Sequence, residues 1–340
     1  LNEAAVALAY RHCEQITRSR ARNFYYGIRL LPPAKRRAMC ALYAMARRID
    51  DIGDARTPRL LADAGAPTPP AQCSSPAGPR LLADAGAPTP PAQCSSPAGP
   101  RLLADAGAPT PPAQLAAVRS SLGIVAKAAA GGPPPPPGDP VVMALADAAR
   151  RFALPLAALE ELVEGCEWDL AGRSYETFED LLGYCRRVAG SIGRLSLAVY
   201  GSDDHARAES LADSLGVALQ LTNILRDLVE DRDVYGRVYV PQEDLARFGV
   251  GPDLKAPAKN LTALVCYEAA RASEWYSQGL SLLPLLDWRS RACTAAMAGI
   301  YRRLLQQIQQ APASVLAKRV SLPPVQKATV AATALLKGAA

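Results

Sequence analysis

Residues 220–233 read QLTNILRDLVEDRD, an apolar opening followed by Asp227 and Asp231 four residues apart, with Glu230 between them. On a helix, positions i and i+4 share a face, and like charges placed there repel by about 0.2–0.5 kcal/mol. The same spacing occurs in YAMARRIDDIGD, residues 43–54, where Asp50 and Asp54 stand four apart. Two repelling pairs in one chain call for a positive charge that serves both.

Outward from these stretches, apolar residues recur at three- and four-residue steps almost throughout, and alternating β-branched runs are few. The pattern predicts an all-α fold. Two breaks interrupt it. RLLADAGAPTPPAQCSSPAGP begins at Arg59 and again at Arg80, and a third copy from Arg101 stops after Gln114. Each unit offers little besides a Leu-Leu pair to bury, so stacking the copies would not offset the entropy of ordering them. Residues 57–114 therefore read as a low-complexity tandem-repeat insert whose removal the fold should tolerate. The second break, GGPPPPPGDP at residues 131–140, reads as an extended proline-rich linker. The expected organisation is one helical domain over residues 1–340, interrupted at these two places.

Composition narrows the function classes. A net charge of +6 suits anionic substrates or an anionic surface without requiring nucleic acid, and aromatics at 6% give no platform for stacking bases. None of the eight cysteines falls in a CxxC pair, and His12 and His205 are the only histidines, so zinc sites and histidine triads are poorly supplied. No apolar run approaches the ~20 residues that span a bilayer. The first twenty residues lack the order of a signal peptide. The expectation is a cytoplasmic protein, with peripheral association at the inner face of the membrane left open.

Projected onto a helix, Tyr43, Arg47, Asp50 and Asp54 fall on one face, and Gln220, Asn223, Asp227 and Asp231 line another. Such stripes either face solvent or line a polar cavity, because burying them unpaired costs several kcal/mol. For one pair a solvated face is the simpler account. Two matching stripes favour Mg²⁺, which takes hard carboxylate oxygens and shares its shell with substrate phosphates. Arg47, Arg226 and Arg237 would then meet diphosphate oxygens. In YCRRVAGSIG, residues 184–193, Tyr184, Val188 and Ser191 are expected to share a face, while Ala189, Gly190 and Gly193 allow close approach by a ligand or a neighbouring helix.

Taken together, NFYYGIRLLPPAKRRAMCALYAMARRIDDIGD, YCRRVAGSIGRL and QLTNILRDLVEDRDVYGRVYVPQEDL resemble the squalene and phytoene synthase family of head-to-head prenyl-diphosphate transferases. The likeness covers nearly the whole chain outside the two breaks, and the nearest branch by feel is that of bacterial presqualene diphosphate synthases of hopanoid biosynthesis. The resemblance implies an isoprenoid-synthase fold, a single helical domain around a central cavity. It implies Asp50, Asp54, Asp227 and Asp231 as Mg²⁺ ligands, supported by Gln220 and Asn223. Tyr43, Arg47, Arg226, Arg237 and Tyr239 would surround the diphosphates, and Phe24 and Tyr184 would lie near the reacting carbons, Tyr184 assisting proton transfer. Arg22 matches a basic position, Asn23 departs from the serine many relatives carry there, and Tyr276 in SEWYSQG is a further candidate. The implied reaction condenses two farnesyl diphosphates to presqualene diphosphate with release of diphosphate. The alternatives are an NADPH-dependent squalene synthase, a phytoene or dehydrosqualene synthase, and, remotely, a non-catalytic assembly protein of the same family. Downstream hopanoid or carotenoid enzymes are the implied protein partners.

Overall fold

The computed structural model describes residues 3–21, 23–54, 109–317 and 319–339, and among them every regular element is a helix. Residues 57–108 of the expected insert, and Arg22, lie outside the described residues. The helices are α1 (Glu3–Arg20), α2 (Phe24–Ile28), α3 (Pro33–Gly53), α4 (Pro111–Ala129), α5 (Pro140–Phe152), α6 (Ala157–Leu170), α7 (Phe178–Cys185), α8 (Ser191–Tyr200), α9 (His205–Glu230), α10 (Gln242–Arg247), α11 (Ala258–Gly279), α12 (Trp288–Gln310), α13 (Ser314–Ala317) and α14 (Pro324–Ala339). They pack as one unit around a continuous hydrophobic core.

The starts follow local chemistry. Proline opens α3, α4, α5 and α14, where the missing N–H would have had no intrahelical acceptor and φ is already helical. Helix α4 begins at Pro111, so residues 111–114, expected to belong to the insert, form its first turn instead. Their continuation buries Leu115, Val118, Leu122 and Val125 on one face, and that burial carries the helix back across its prolines. The proline-rich linker ends on Asp139, whose carboxylate accepts from the Val141 and Val142 N–H groups at 3.0 and 3.2 Å. The same carboxylate takes a forked pair of bonds from Arg48 of α3 at 2.6 and 2.9 Å, which pins the linker to the core.

The 26-residue α9 runs through the centre and packs on α8, α11 and α12. Its approach to α8 depends on glycine. A Cβ at Gly193 would lie 2.4 Å from the Ala212 carbonyl oxygen, and one at Gly216 would lie 2.5 Å from that of Ala189. The small residues after Tyr184 therefore allow close helix packing, and Ala189 and Gly193 also line the cavity described below.

Two π-helical turns interrupt the regular helices, Arg186–Gly190 between α7 and α8 and Asp231–Tyr235 after α9. Such turns insert a residue into the helical ladder and shift the faces beyond it. For that reason Tyr184, Val188 and Ser191 do not share a face as the 3.6 period predicts. Val188 lines the cavity described below, whereas Ser191 is fully buried and donates to the Arg187 carbonyl at 2.5 Å.

Candidate active site

A cavity of about 300 Å³ lies between α3, α8, α9 and α12. Its walls are chiefly apolar, with Phe24, Leu42, Ile192, Leu215, Leu219 and Met297 among them. At one end the wall turns polar with Tyr43, Arg47, Asp50, Gln220 and Asn223, so both predicted stripes reach it from opposite helices. Asp54, Asp227, Asp231, Arg226 and Arg237 lie beyond this lining, farther along the same helices or just after them.

On α3, Arg47 donates to Asp50 at 2.8 Å and also pairs with Asp51. Asp54 is met from across the fold by Arg237, whose Nη1 lies 3.3 Å from its carboxylate while Nη2 donates to the Gly53 carbonyl at 2.6 Å. Loss of hydration and the nearby Asp54 charge push the Asp50 carboxyl up to about 6. Its side chain remains 53% exposed toward the cavity, where water softens that burial.

On α9, Asp227 sits between two guanidinium groups. Arg226 Nε donates at 2.9 Å, and Arg319, from the segment before α14, approaches at 2.7 Å. Asp231 has no hydrogen-bond or ion-pair partner for its carboxylate among the described residues. Burial and the neighbouring Asp227 charge push it up to about 7. The Asn223 side-chain oxygen is buried without a hydrogen-bond partner, its amide nitrogen reaching only Gln220 at 3.4 Å.

The donor set fits Mg²⁺. A buried, unmatched amide oxygen and an unmatched carboxylate stand one and two turns along a single helix, with Asp227 between them, and all are hard oxygen donors. Among the described residues no three carboxylate, histidine or cysteine side chains are grouped closely enough to hold a metal ion by themselves. Mg²⁺ is normally held by one or two carboxylates and completed by water and substrate phosphate, so an open arrangement is what it uses.

Tyr184 and Tyr239 stand beside this polar end, outside the cavity lining. Both hydroxyls donate to one carboxylate, Asp169 at the end of α6, at 3.0 and 2.8 Å. Their rings stack with centroids 5.1 Å apart, and Tyr175 lies 5.5 Å from Tyr184. Burial pushes Asp169 up to about 6, against the pull of Arg237 and of the two phenols. Burial also raises both tyrosines, so each keeps its proton and donates. Phe24 lines the cavity and stacks on Tyr301 at 5.5 Å. Asn23 ends the turn before α2 without a side-chain capping bond. Tyr276 is buried and its hydroxyl shares a 3.1 Å bond with Thr222, a packing role.

The sequence reading did not single out Asp169 and Arg319. Asp169 in EGCEWDL has Cys166 and Gly165 three and four residues before it, so it forms no acidic pair at helical spacing, and Arg319 lies in an irregular segment, so neither carried a periodic signal.

Residues 17–326 match the description squalene/phytoene synthase. The chain belongs to the squalene/phytoene synthase family. It is 40% identical over 333 residues to the phytoene synthase of Mycobacterium tuberculosis (strain ATCC 25618 / H37Rv), covering 96% of this chain and 90% of that protein. It is 31% identical over 350 residues to the 15-cis-phytoene synthase of Synechococcus elongatus, covering 98% and 94%. Among solved structures it is similar to a dehydrosqualene synthase crystallised with a ligand, with TM-score 0.72, 25% identity, and 98% and 97% of the two chains covered. Squalene synthase HpnC from Alicyclobacillus acidocaldarius superposes with TM-score 0.66 at 24% identity over 90% and 94% of the chains, a likeness of fold. The all-α isoprenoid-synthase fold is thus the one expected from the motifs, and family membership carries prenyl transfer on isoprenoid diphosphates. The two sequence relatives named here are phytoene synthases, and not of the presqualene diphosphate branch that the motifs brought forward. No helix among the described residues is long and apolar enough to cross a membrane.

Proposed function

We propose that this member of the squalene/phytoene synthase family is a phytoene synthase, joining two geranylgeranyl diphosphates head to head. The observation that carries the product assignment is the 40% identity, along 96% of the chain, to the mycobacterial phytoene synthase. A dehydrosqualene synthase that joins two farnesyl diphosphates, passing through presqualene diphosphate, becomes the second reading, favoured by the likeness to the dehydrosqualene synthase structure.

In this reading Asp50 on α3 and Asp54 at its end, with Asn223, Asp227 and Asp231 on and after α9, would hold Mg²⁺. The ion supplies charge neutralisation for the departing diphosphate. Arg47, Arg226, Arg237 and Arg319 bind diphosphate oxygens, Arg226 and Arg319 turning from Asp227 toward them, and forked guanidinium donors suit that task. Gln220 holds the Asn223 amide, and Tyr43 orients the substrate at the cavity wall. Arg22 and Asn23 are assigned to the same diphosphate on the motif alone. The C1–O bond breaks with both electrons leaving on diphosphate, and an allylic cation remains. Apolar walls exclude water from it, and the face of Phe24 contributes roughly 0.5–2 kcal/mol of cation–π attraction. The π electrons of the second substrate form the new carbon–carbon bond, and proton loss closes a cyclopropane. A second ionisation, rearrangement and loss of a further proton then give the hydrocarbon with no reductant.

Tyr184 is expected to assist the proton transfers, but its own proton is committed to Asp169. It therefore acts with Tyr239 as a positioning residue, holding Asp169 opposite Arg237, and released diphosphate is the base. Incubating the protein with Mg²⁺ and either geranylgeranyl or farnesyl diphosphate, with and without NADPH, and identifying products by mass spectrometry tests the reading. Phytoene independent of NADPH is the expected product. Dehydrosqualene from farnesyl diphosphate, with geranylgeranyl diphosphate ignored, establishes the second reading. Squalene formed only with NADPH displaces both.

A further inference from the structure

A second cavity, of about 400 Å³, opens between α12 and α14, away from the aspartate stripes. Leu283, Ala295, Val330 and Ala334 form its apolar walls, and Arg291, Arg302, Arg303 and Lys337 supply four cationic side chains without a single carboxylate in the lining. Arg302, Arg303 and Lys337 form no ion pair among the described residues. The like charges of Arg302, Arg303 and Lys337 around one hollow repel one another, and a bound anion removes that repulsion.

The outer face of α14 states what kind of anion. Val325, Ala328, Thr329, Ala332 and Leu336 recur at three- and four-residue steps and are all exposed, Val325 and Leu336 at 76% and 74%. Thr333 and Lys337 lie between this stripe and the buried face of the helix, at the mouth of the cavity. A soluble phosphate would need the cations and have no use for an apolar stripe. An amphiphile at a lipid surface uses both, with phosphate in the basic hollow and the stripe resting on acyl chains.

We propose that the groove between α12 and α14 is a docking site for anionic phospholipid, seating the protein on a membrane surface through a headgroup phosphate bound by Arg302, Arg303 and Lys337. The site is independent of the reaction product. Flotation of the full chain with phosphatidylcholine vesicles, with and without phosphatidylglycerol, tests it. Binding is expected only to the vesicles containing phosphatidylglycerol, falling as salt is added. Near an anionic surface each Lys or Arg contributes about 1 kcal/mol, so R302Q/R303Q/K337Q should lose on the order of a hundredfold in partition coefficient. Its melting temperature and its prenyl-transfer rate in detergent solution should stay as in the parent. R302K/R303K should still bind, because charge is what is required, and V325S/L336S should bind the same vesicles more weakly. Equal flotation on pure phosphatidylcholine overturns the proposal, as does undiminished binding by the triple variant. Saturable binding of free glycerol phosphate with vesicles ignored assigns the groove to a soluble ligand and also overturns it.

Discussion

The acidic stripes on α3 and α9 share a sequence pattern and differ in surroundings. On α3 each aspartate of the pair has its own guanidinium partner, Arg47 for Asp50 and Arg237 for Asp54, and Asp50 faces the cavity. On α9 both guanidinium partners crowd onto Asp227, 15% exposed, and Asp231 has none among the described residues. Both acids of the first stripe are bonded to a guanidinium group, whereas Asp231 in the second has only the more distant Arg237 to set against the repulsion of Asp227, which a cation would relieve. Equal spacing in sequence thus gives two different electrostatic surroundings.

The largest effect should come from removing the Asp231 charge. Asp231→Asn is expected to lower kcat about a thousandfold, the scale of losing a preorganised charge-stabilising group. Its melting temperature in EDTA should hold or rise, since a half-buried carboxylate repelled by Asp227 has gone. Asp50→Asn should match the kinetic loss without the gain in stability; similar melting shifts in both variants would show the stripes to be equivalent. Next comes Asp169→Asn, expected to lower kcat roughly ten- to a hundredfold, as for supporting residues behind a metal site. Its KM should change little, and Tyr184→Phe/Tyr239→Phe should reproduce the loss; a change confined to KM would place Asp169 on the substrate instead. Below these lies Gly193→Val, which forces atoms against the Ala212 carbonyl and should cost about 1–3 kcal/mol in urea unfolding.

The smallest effect concerns a carboxylate built the opposite way. Asp287 caps α12 through the N–H groups of Arg289 and Ser290, and bonds to Lys35 and to the Ser290 hydroxyl keep it low, at about 2 against its usual 3.8. A depressed carboxyl stabilises fully above its unfolded value and loses that contribution as pH falls through the folded one. Asp287→Asn should therefore lower the melting temperature slightly at neutral pH, flatten its decline between pH 3.8 and about 2, and change little below that. With 43% of the side chain exposed, solvent screening keeps the effect small.

Much of this was legible from helical period alone. The two stripes, the all-α class and the meeting of Tyr43, Arg47, Asp50, Gln220 and Asn223 at one cavity end follow from spacing that the structure keeps. The reading failed where the period itself changes. The π turn at Arg186–Gly190 separates Val188 from Tyr184, and no residue type at those positions announces it. Asp169 and Arg319 gain meaning only through partners far along the chain, the two tyrosines and Asp227. The basic groove escaped notice for the same reason, since α12 and α14 each contribute cations that are unremarkable within either helix. The phytoene or presqualene product was not legible at all, because the motifs encode ionisation and coupling, which both reactions share.

The contact of Gly216 with the Ala189 carbonyl has a reach beyond its immediate neighbourhood. Asp227 lies eleven residues farther along α9, about 16 Å at 1.5 Å per residue. Backbone meeting backbone leaves no compliant side chain to absorb error, so this contact fixes the rotational phase of α9 as a keyway fixes a shaft. A bulkier residue there would turn the far acids away from their shared target while leaving every one of them chemically intact.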